Sequence, residues 1–174
     1  MIDGVCDGIY DTATVLDVDR VSCAEKAIPG DISAKARVTY TADALYVFVE
    51  VTDGTRQSSD MVYVLVDEKR YATENSEIFN VEAYRNGARI TDGNGEAIEG
   101  AEACVKVTST GYNVEIKMPW RYKTSIEAYD SFGFDCFVYN NRDSSEYKSL
   151  VTWSDYNAGY KIEKAGELYF RKEN

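Results

Sequence analysis

Glu50 and Glu82 are the side chains best placed to do chemistry in this chain, because each interrupts an apolar stretch on the same side as aromatic rings. On one face, two carboxylates could run glycoside hydrolysis. Retaining chemistry would need carboxyl groups about 5–5.5 Å apart, one of them held protonated. The same carboxylates beside Asn80, Tyr63, Phe137 and Tyr139 could instead hold a neutral, hydroxyl-rich ligand. A sugar's C–H face stacks on an aromatic ring, and its hydroxyls find amides and carboxylates. Glu50 and Glu82 are equally open to being solvated or ion-paired, and the rings to packing under a loop or forming a protein interface. Histidine is absent, which removes Ser-His-Asp and Cys-His triads, His-based zinc sites and a proximal-His haem. Cys6, Cys23, Cys104 and Cys136 show no CxxC spacing, so no metal cluster or redox motif is expected. A Cys6–Cys23 disulfide is compatible with the sequence, and Cys104 and Cys136 read as thiols within strands.

The elements that must position these residues are strands. Ala44–Asp53, ALYVFVEVTD, alternates strictly, with Leu45, Val47, Val49 and Val51 on one side and Tyr46, Phe48 and Glu50 on the other. Met61–Asp67 is also apolar on both faces. Glu77–Tyr84 sets Phe79, Val81 and Ala83 against Ile78, Asn80 and Glu82, and Phe132–Asn140 sets Phe134, Cys136 and Val138 against Phe137 and Tyr139. If these four strands are neighbours, one sheet carries an aromatic outer face dotted with polar groups. Thr14–Val18, Lys35–Thr41, Ala101–Thr108, Tyr112–Met118, Leu150–Trp153 and Glu167–Phe170 are further strands. Glu102, Lys106, Asn113, Glu115 and Lys117 are expected on a solvated face. Asn86-Gly87 and Asp92–Gly95 signal turns, Arg121–Tyr129 a short helical turn, and Ser154–Lys164 a loop bearing Tyr156, Asn157 and Tyr160. Trp120 and Trp153 read as core. Short strands separated by turns predict an all-β fold: an immunoglobulin-sized, jelly-roll-like antiparallel β-sandwich, one domain over residues 1–174.

Composition narrows the partners. The 174 residues include 30 acidic and 19 basic side chains, a formal charge of −11. That balance repels phosphate backbones and anionic lipid, so neither nucleic acid nor membrane is an expected partner. No apolar run is long enough to span a bilayer. The opening MIDGVCDGIYD lacks the basic and apolar regions of a signal peptide.

The order of these pieces resembles the family 9 carbohydrate-binding modules, which are found on bacterial xylanases and other plant-polysaccharide enzymes. Ile2-Asp3-Gly4 and Asp7-Gly8-Ile9-Tyr10 are similar to the family's opening. Ala36–Asp53 resembles its paired strands, Gly111–Trp120 its "GY-VE-IPW" strand and Phe132–Tyr139 its "GF-V" strand. Trp153-Ser154-Asp155 and Gly166-Glu167-Leu168 resemble its ending. The resemblance implies non-catalytic binding of plant cell-wall polysaccharide of the xylan or cellulose type by a secreted, bacterial, multidomain enzyme, with this unit a monomer inside it. The alternative is a structural or docking module whose aromatic face packs on a neighbouring domain. Family members hold sugar between two tryptophans. The first position falls near Gln57 and the second near Tyr160, which could serve as a stacking plate; the family's asparagine before the second matches Asn157, and Tyr156 lies in the same loop. The family's glutamate, arginine and glutamine positions carry Tyr63, Asn80 and Phe137 here. The implied ligand-binding set is therefore Tyr160, Asn157, Tyr63, Asn80, Phe137, Tyr139, Glu82 and Tyr156. Structural calcium, common in the family, would fall to Asp3, Asp7, Asp53 and Asp60. A related sandwich binds haem through Met or His. With no histidine and three methionines, no haem is expected.

Overall fold

The computed structural model describes residues 1–21, 32–54, 57, 60–70, 72, 74–84, 87–141, 148–154 and 165–171. Twelve strands are formed among them: β1 (Thr14–Val18), β2 (Arg20–Val21), β3 (Ile32–Tyr40), β4 (Ala44–Asp53), β5 (Met61–Asp67), β6 (Ile78–Tyr84), β7 (Gly87–Asp92), β8 (Glu102–Val107), β9 (Gly111–Pro119), β10 (Ser131–Asn141), β11 (Lys148–Thr152) and β12 (Gly166–Tyr169). All pair antiparallel. Sheet A has the order β1-β3-β4-β9-β8. Sheet B has the order β2-β11-β10-β5-β6-β7, with β12 also pairing with β10. The expected antiparallel β-sandwich is the fold.

Alternation along each strand builds the interlayer core. Val47, Val49, Val114 and Ile116 come from sheet A, and Val62, Val64, Val81, Phe134 and Cys136 from sheet B; all are inaccessible. A two-sided sandwich buries one side chain in two from each sheet, so strict period-two sequences are what it selects. Tight turns fix the register. Thr41 caps the β3–β4 hairpin, its Oγ1 accepting the N–H groups of Asp43 (3.3 Å) and Ala44 (3.2 Å). Gly111 opens β9 where a Cβ would lie 2.0 Å from the Val51 carbonyl oxygen, so only glycine lets β9 pair with β4. Trp120 and Trp153 pack against the core as expected. Trp120 stands edge-on to Phe132 (6.0 Å) and Phe170 (5.6 Å), and Trp153 edge-on to Phe134 (5.8 Å).

Several expectations are corrected here. β4 does not neighbour β5, β6 and β10; it lies in sheet A, so Tyr46, Phe48 and Glu50 face away from Tyr63, Asn80, Glu82 and Phe137. Its second face is covered by the chain's own opening segment, with Tyr10 packed on fully buried Phe48 at 5.4 Å. Glu115, expected on a solvated face, is only 1% exposed. It accepts the N–H groups of Asp3 (2.8 Å) and Gly4 (2.9 Å) and the Tyr10 hydroxyl (3.3 Å). Residues 121–129 form bends and a turn rather than helix. β7 carries no strand signal in the sequence, and the Cys6 thiol is free, while Cys23 of the Cys6–Cys23 pairing lies outside the described residues.

Candidate functional site

The outer face of sheet B gathers the aromatic and polar residues of β10, β5, β6 and β7. Antiparallel register lays them out in rows: Thr152–Phe137–Tyr63–Glu82–Arg89, and beside it Asp135–Leu65–Asn80–Thr91. One end of these rows is buried. Tyr63 and Phe137 are 7% and 2% exposed and meet edge-to-face at 6.0 Å, forming a second small core with Leu65, Leu150 and Ala165. Met61, Ile78 and Tyr139 pack around it, partly buried. The rings are thus on the expected face, yet Tyr63 and Phe137 are not displayed to water as open plates.

The other end is accessible and polar. Asn80, Glu82 and Thr91 are half-buried, and Arg89 is exposed. Asn80 is held at both ends: its Oδ1 accepts the Tyr63 hydroxyl (2.6 Å), and its Nδ2 donates to the Asp92 carbonyl (3.4 Å). Asp92 in turn accepts the N–H groups of Asn94 (2.9 Å) and Glu96 (3.0 Å), which rigidifies the turn behind it. Glu82 stands opposite Arg89 in register, but the guanidinium is engaged by the Gly95 carbonyl at 3.3 Å. Among the described residues the Glu82 carboxylate makes no hydrogen bond or ion pair. Its acceptor oxygens are therefore available to a ligand's hydroxyls. Arg89 was missed from the sequence, although the Asn86-Gly87 turn signal would have paired it with Glu82.

A buried carboxylate underlies this face. Asp135 is inaccessible and accepts the Thr152 hydroxyl (3.0 Å), the N–H groups of Cys136 (2.8 Å) and Ser154 (3.3 Å), and the Ser154 hydroxyl. Burial pushes its pKa above the ordinary range, against those four donors. Ser154 is the last described residue before Tyr156, Asn157 and Tyr160, which lie outside the described residues.

Glu50 and Glu82 cannot act together. Glu50 points outward from sheet A, with the Arg37 guanidinium at 3.2 Å, while Glu82 points outward from sheet B. Two packed sheets stand about 10 Å apart, so outward carboxylates on opposite sides exceed even the roughly 6.5–9.5 Å of inverting pairs. The four aspartates do not converge either. Asp3 and Asp7 belong to the opening segment on sheet A, whereas Asp53 and Asp60 are fully buried around the β4–β5 connection, Asp53 accepting from the Asn140 amide at 3.3 Å. Among the described residues no group of three or more acidic or cysteine side chains is gathered for a metal. No helix among them is long and apolar enough to cross a membrane.

The chain is an antiparallel two-sheet sandwich whose outer sheet B face carries aromatic and polar side chains. The profile of the family described as "Carbohydrate family 9 binding domain-like" matches residues 2–161. The chain belongs to that family, a family of carbohydrate-binding modules and not of catalytic domains. It is 26% identical over 167 aligned positions to endo-1,4-beta-xylanase A of Thermotoga neapolitana, a match covering 89% of this chain and 15% of that protein. The fold is that of a family 9 carbohydrate-binding module from Caldicellulosiruptor kristjanssonii solved with glucose, at TM-score 0.81 and 22% identity, covering 100% of this chain and 92% of that one. The same organism's family 9 module solved with cellotriose gives TM-score 0.78 and 23% identity, covering 100% and 90%.

Proposed function

We propose that this chain binds neutral plant cell-wall oligo- or polysaccharide, of the xylan or cellulose type, on the outer face of sheet B and so tethers a larger secreted enzyme to its substrate. The observation that carries the reading is the Glu82 carboxylate, unengaged among the described residues and set beside the fixed amide of Asn80 and the exposed Arg89. In a water-facing site such acceptors and donors suit ring hydroxyls, and the buried Tyr63–Phe137 cluster beside them in the same rows supplies a rigid flank. Tyr139, partly exposed, and Tyr156, Asn157 and Tyr160 complete the proposed set. Neighbouring relatives solved with glucose and cellotriose, and a xylanase relative, support the substrate class and an extracellular setting. The docking alternative is the weaker reading, because Tyr63 and Phe137 are already buried within the chain and need no neighbouring domain to cover them.

Affinity electrophoresis through gels of xylan, cellulose derivatives, mannan and pectin tests the proposal. Glu82→Ala and Asn80→Ala should lose retardation on the neutral gel that retards the wild type, with folding unchanged. A wild type that runs unretarded in every gel would overturn it.

Calcium is proposed only for the Asp53–Asp60 end. Both carboxylates are fully buried and of the hard-oxygen type that calcium takes; Asp53 accepts the Asn140 amide N–H at 3.3 Å, so the further oxygens calcium needs would have to come from backbone carbonyls and water.

A further inference from the structure

A second cleft opens along the edge of the sandwich, remote from the Glu82 face. Its first lobe, about 460 Å³, lies between the start of β1, the end of β3 and β12, with Thr12, Thr14, Tyr40 and Arg171 among its walls and Val38, Phe132 and Leu168 as its floor. A second lobe of about 360 Å³ adjoins it and shares Tyr40 and Arg171 with the first. The shared bar is rigid. The Arg171 N–H donates to the Tyr40 hydroxyl at 3.0 Å, that hydroxyl donates to the Arg171 carbonyl at 3.2 Å, and the Tyr40 ring stands edge-on to Phe170 at 4.7 Å.

Charge singles this cleft out. The chain carries −11, yet among the described residues no aspartate or glutamate lines either lobe. The Arg171 guanidinium meets only the Thr14 hydroxyl, at 3.4 Å, and forms no ion pair among the described residues. Arg37 and Arg70 meet Glu50 at 3.2 Å and Glu167 at 3.4 Å, Arg20 and Arg89 donate to the carbonyls of Ser154 and Gly95, and Arg121 lies over the Phe79 and Tyr122 rings; among the described residues Arg171 faces the cleft with a hydroxyl alone. A cleft with an apolar floor, threonine hydroxyls, an aromatic wall and one uncompensated cation has the size and lining of a small-ligand site.

We propose that this cleft is a second carbohydrate site, taking an oligosaccharide that bears a uronic acid, with Arg171 receiving the carboxylate and the threonine hydroxyls the neighbouring ring hydroxyls. A guanidinium suits a planar carboxylate because it can offer two parallel N–H donors. The site would add a preference for acidic side groups to the neutral recognition proposed for sheet B. It rests on that reading only for the class of ligand.

Calorimetric titration of the whole chain with a neutral xylo-oligosaccharide, and with one of equal length carrying a single uronic acid, separates the two sites. The acidic ligand should bind roughly three- to fivefold more tightly at low salt, as a solvent-accessible ion pair allows. Arg171→Gln should erase that preference and leave neutral affinity unchanged, while Arg171→Lys should keep part of it. Glu82→Ala should weaken neutral binding and preserve the preference. Equal affinity of the wild type for both ligands, or a preference surviving Arg171→Gln, overturns the second site alone. Failure of both ligands to bind overturns the sheet B reading as well.

Discussion

Removing the Asp135 carboxylate is the sharpest test of how the sheet B face is built. Asp135→Ala strands the N–H groups of Cys136 and Ser154 and the hydroxyls of Thr152 and Ser154 beneath that face. Each buried donor left unmet costs about 1–3 kcal/mol, offset in part by the desolvation the carboxylate no longer bears, so a net loss of about 3–5 kcal/mol is expected. At this chain length ~1 kcal/mol moves the melting temperature by about 2–4 °C, which gives a drop of roughly 6–20 °C. Asp135→Asn keeps one acceptor and should lose about 1–2 kcal/mol. The sign with pH is fixed by burial, which raises the folded-state pKa of Asp135 above its unfolded value. The folded protein then holds this proton more tightly, so the group's contribution is fully present below the unfolded pKa and is lost as pH rises through the folded one. The wild type's advantage over Asp135→Asn, which cannot titrate there, must widen as pH falls from neutral into the carboxylate range. Glu68, also raised by burial, is common to both proteins and cancels. Calorimetric melts at several pH values measure the difference. An alanine variant melting within about 1 °C of wild type, or an advantage that shrinks on acidification, would refute the reasoning.

On the opposite sheet, Glu115→Ala deletes the acceptor of three hydrogen bonds that fasten the opening segment. It should cost about 3 kcal/mol, with exposure of Phe48 read by hydrogen exchange, while retention on polysaccharide gels stays at the wild-type level. Calcium, if it sits between Asp53 and Asp60, should raise the melting temperature reversibly; EGTA should lower it, and Asp60→Asn should remove the response. A melting temperature indifferent to both calcium and EGTA would dismiss that site.

Much of the sandwich was legible because period-two alternation is a direct imprint of a two-sided sheet. Val62, Val64 and Val66 read as one face of β5, and they are the core face. Alternation reports a strand's faces, however, and not which sheet it joins. Tyr46 and Phe48 looked equivalent to Tyr63 and Phe137, yet β4 pairs with β3 and β9 while β5 pairs with β6 and β10. Nor does it report what folds over an outer face, so Glu115 read as solvated, and Tyr63 stayed open to both a ligand platform and packing under a loop. β7 escaped because Gly87-Ala88-Arg89 carries no apolar alternation; it is a strand because it pairs with β6. Of the candidate site, Asn80 and Glu82 were placed on the correct face by parity. Arg89 fell in a stretch bounded by two turn signals and was passed over. The second cleft left no mark in the sequence, since its walls come from positions as distant as Thr14, Tyr40 and Arg171.

Backbone NMR during titration with a neutral cello- or xylo-oligosaccharide addresses the central claim most directly. Resonances of Asn80, Glu82, Arg89 and Thr91 should shift together and saturate, while those of Glu50, Tyr46 and Arg37 on sheet A stay put. Saturable shifts centred on sheet A, with the Asn80–Thr91 row unmoved, would contradict the assignment of the sugar face.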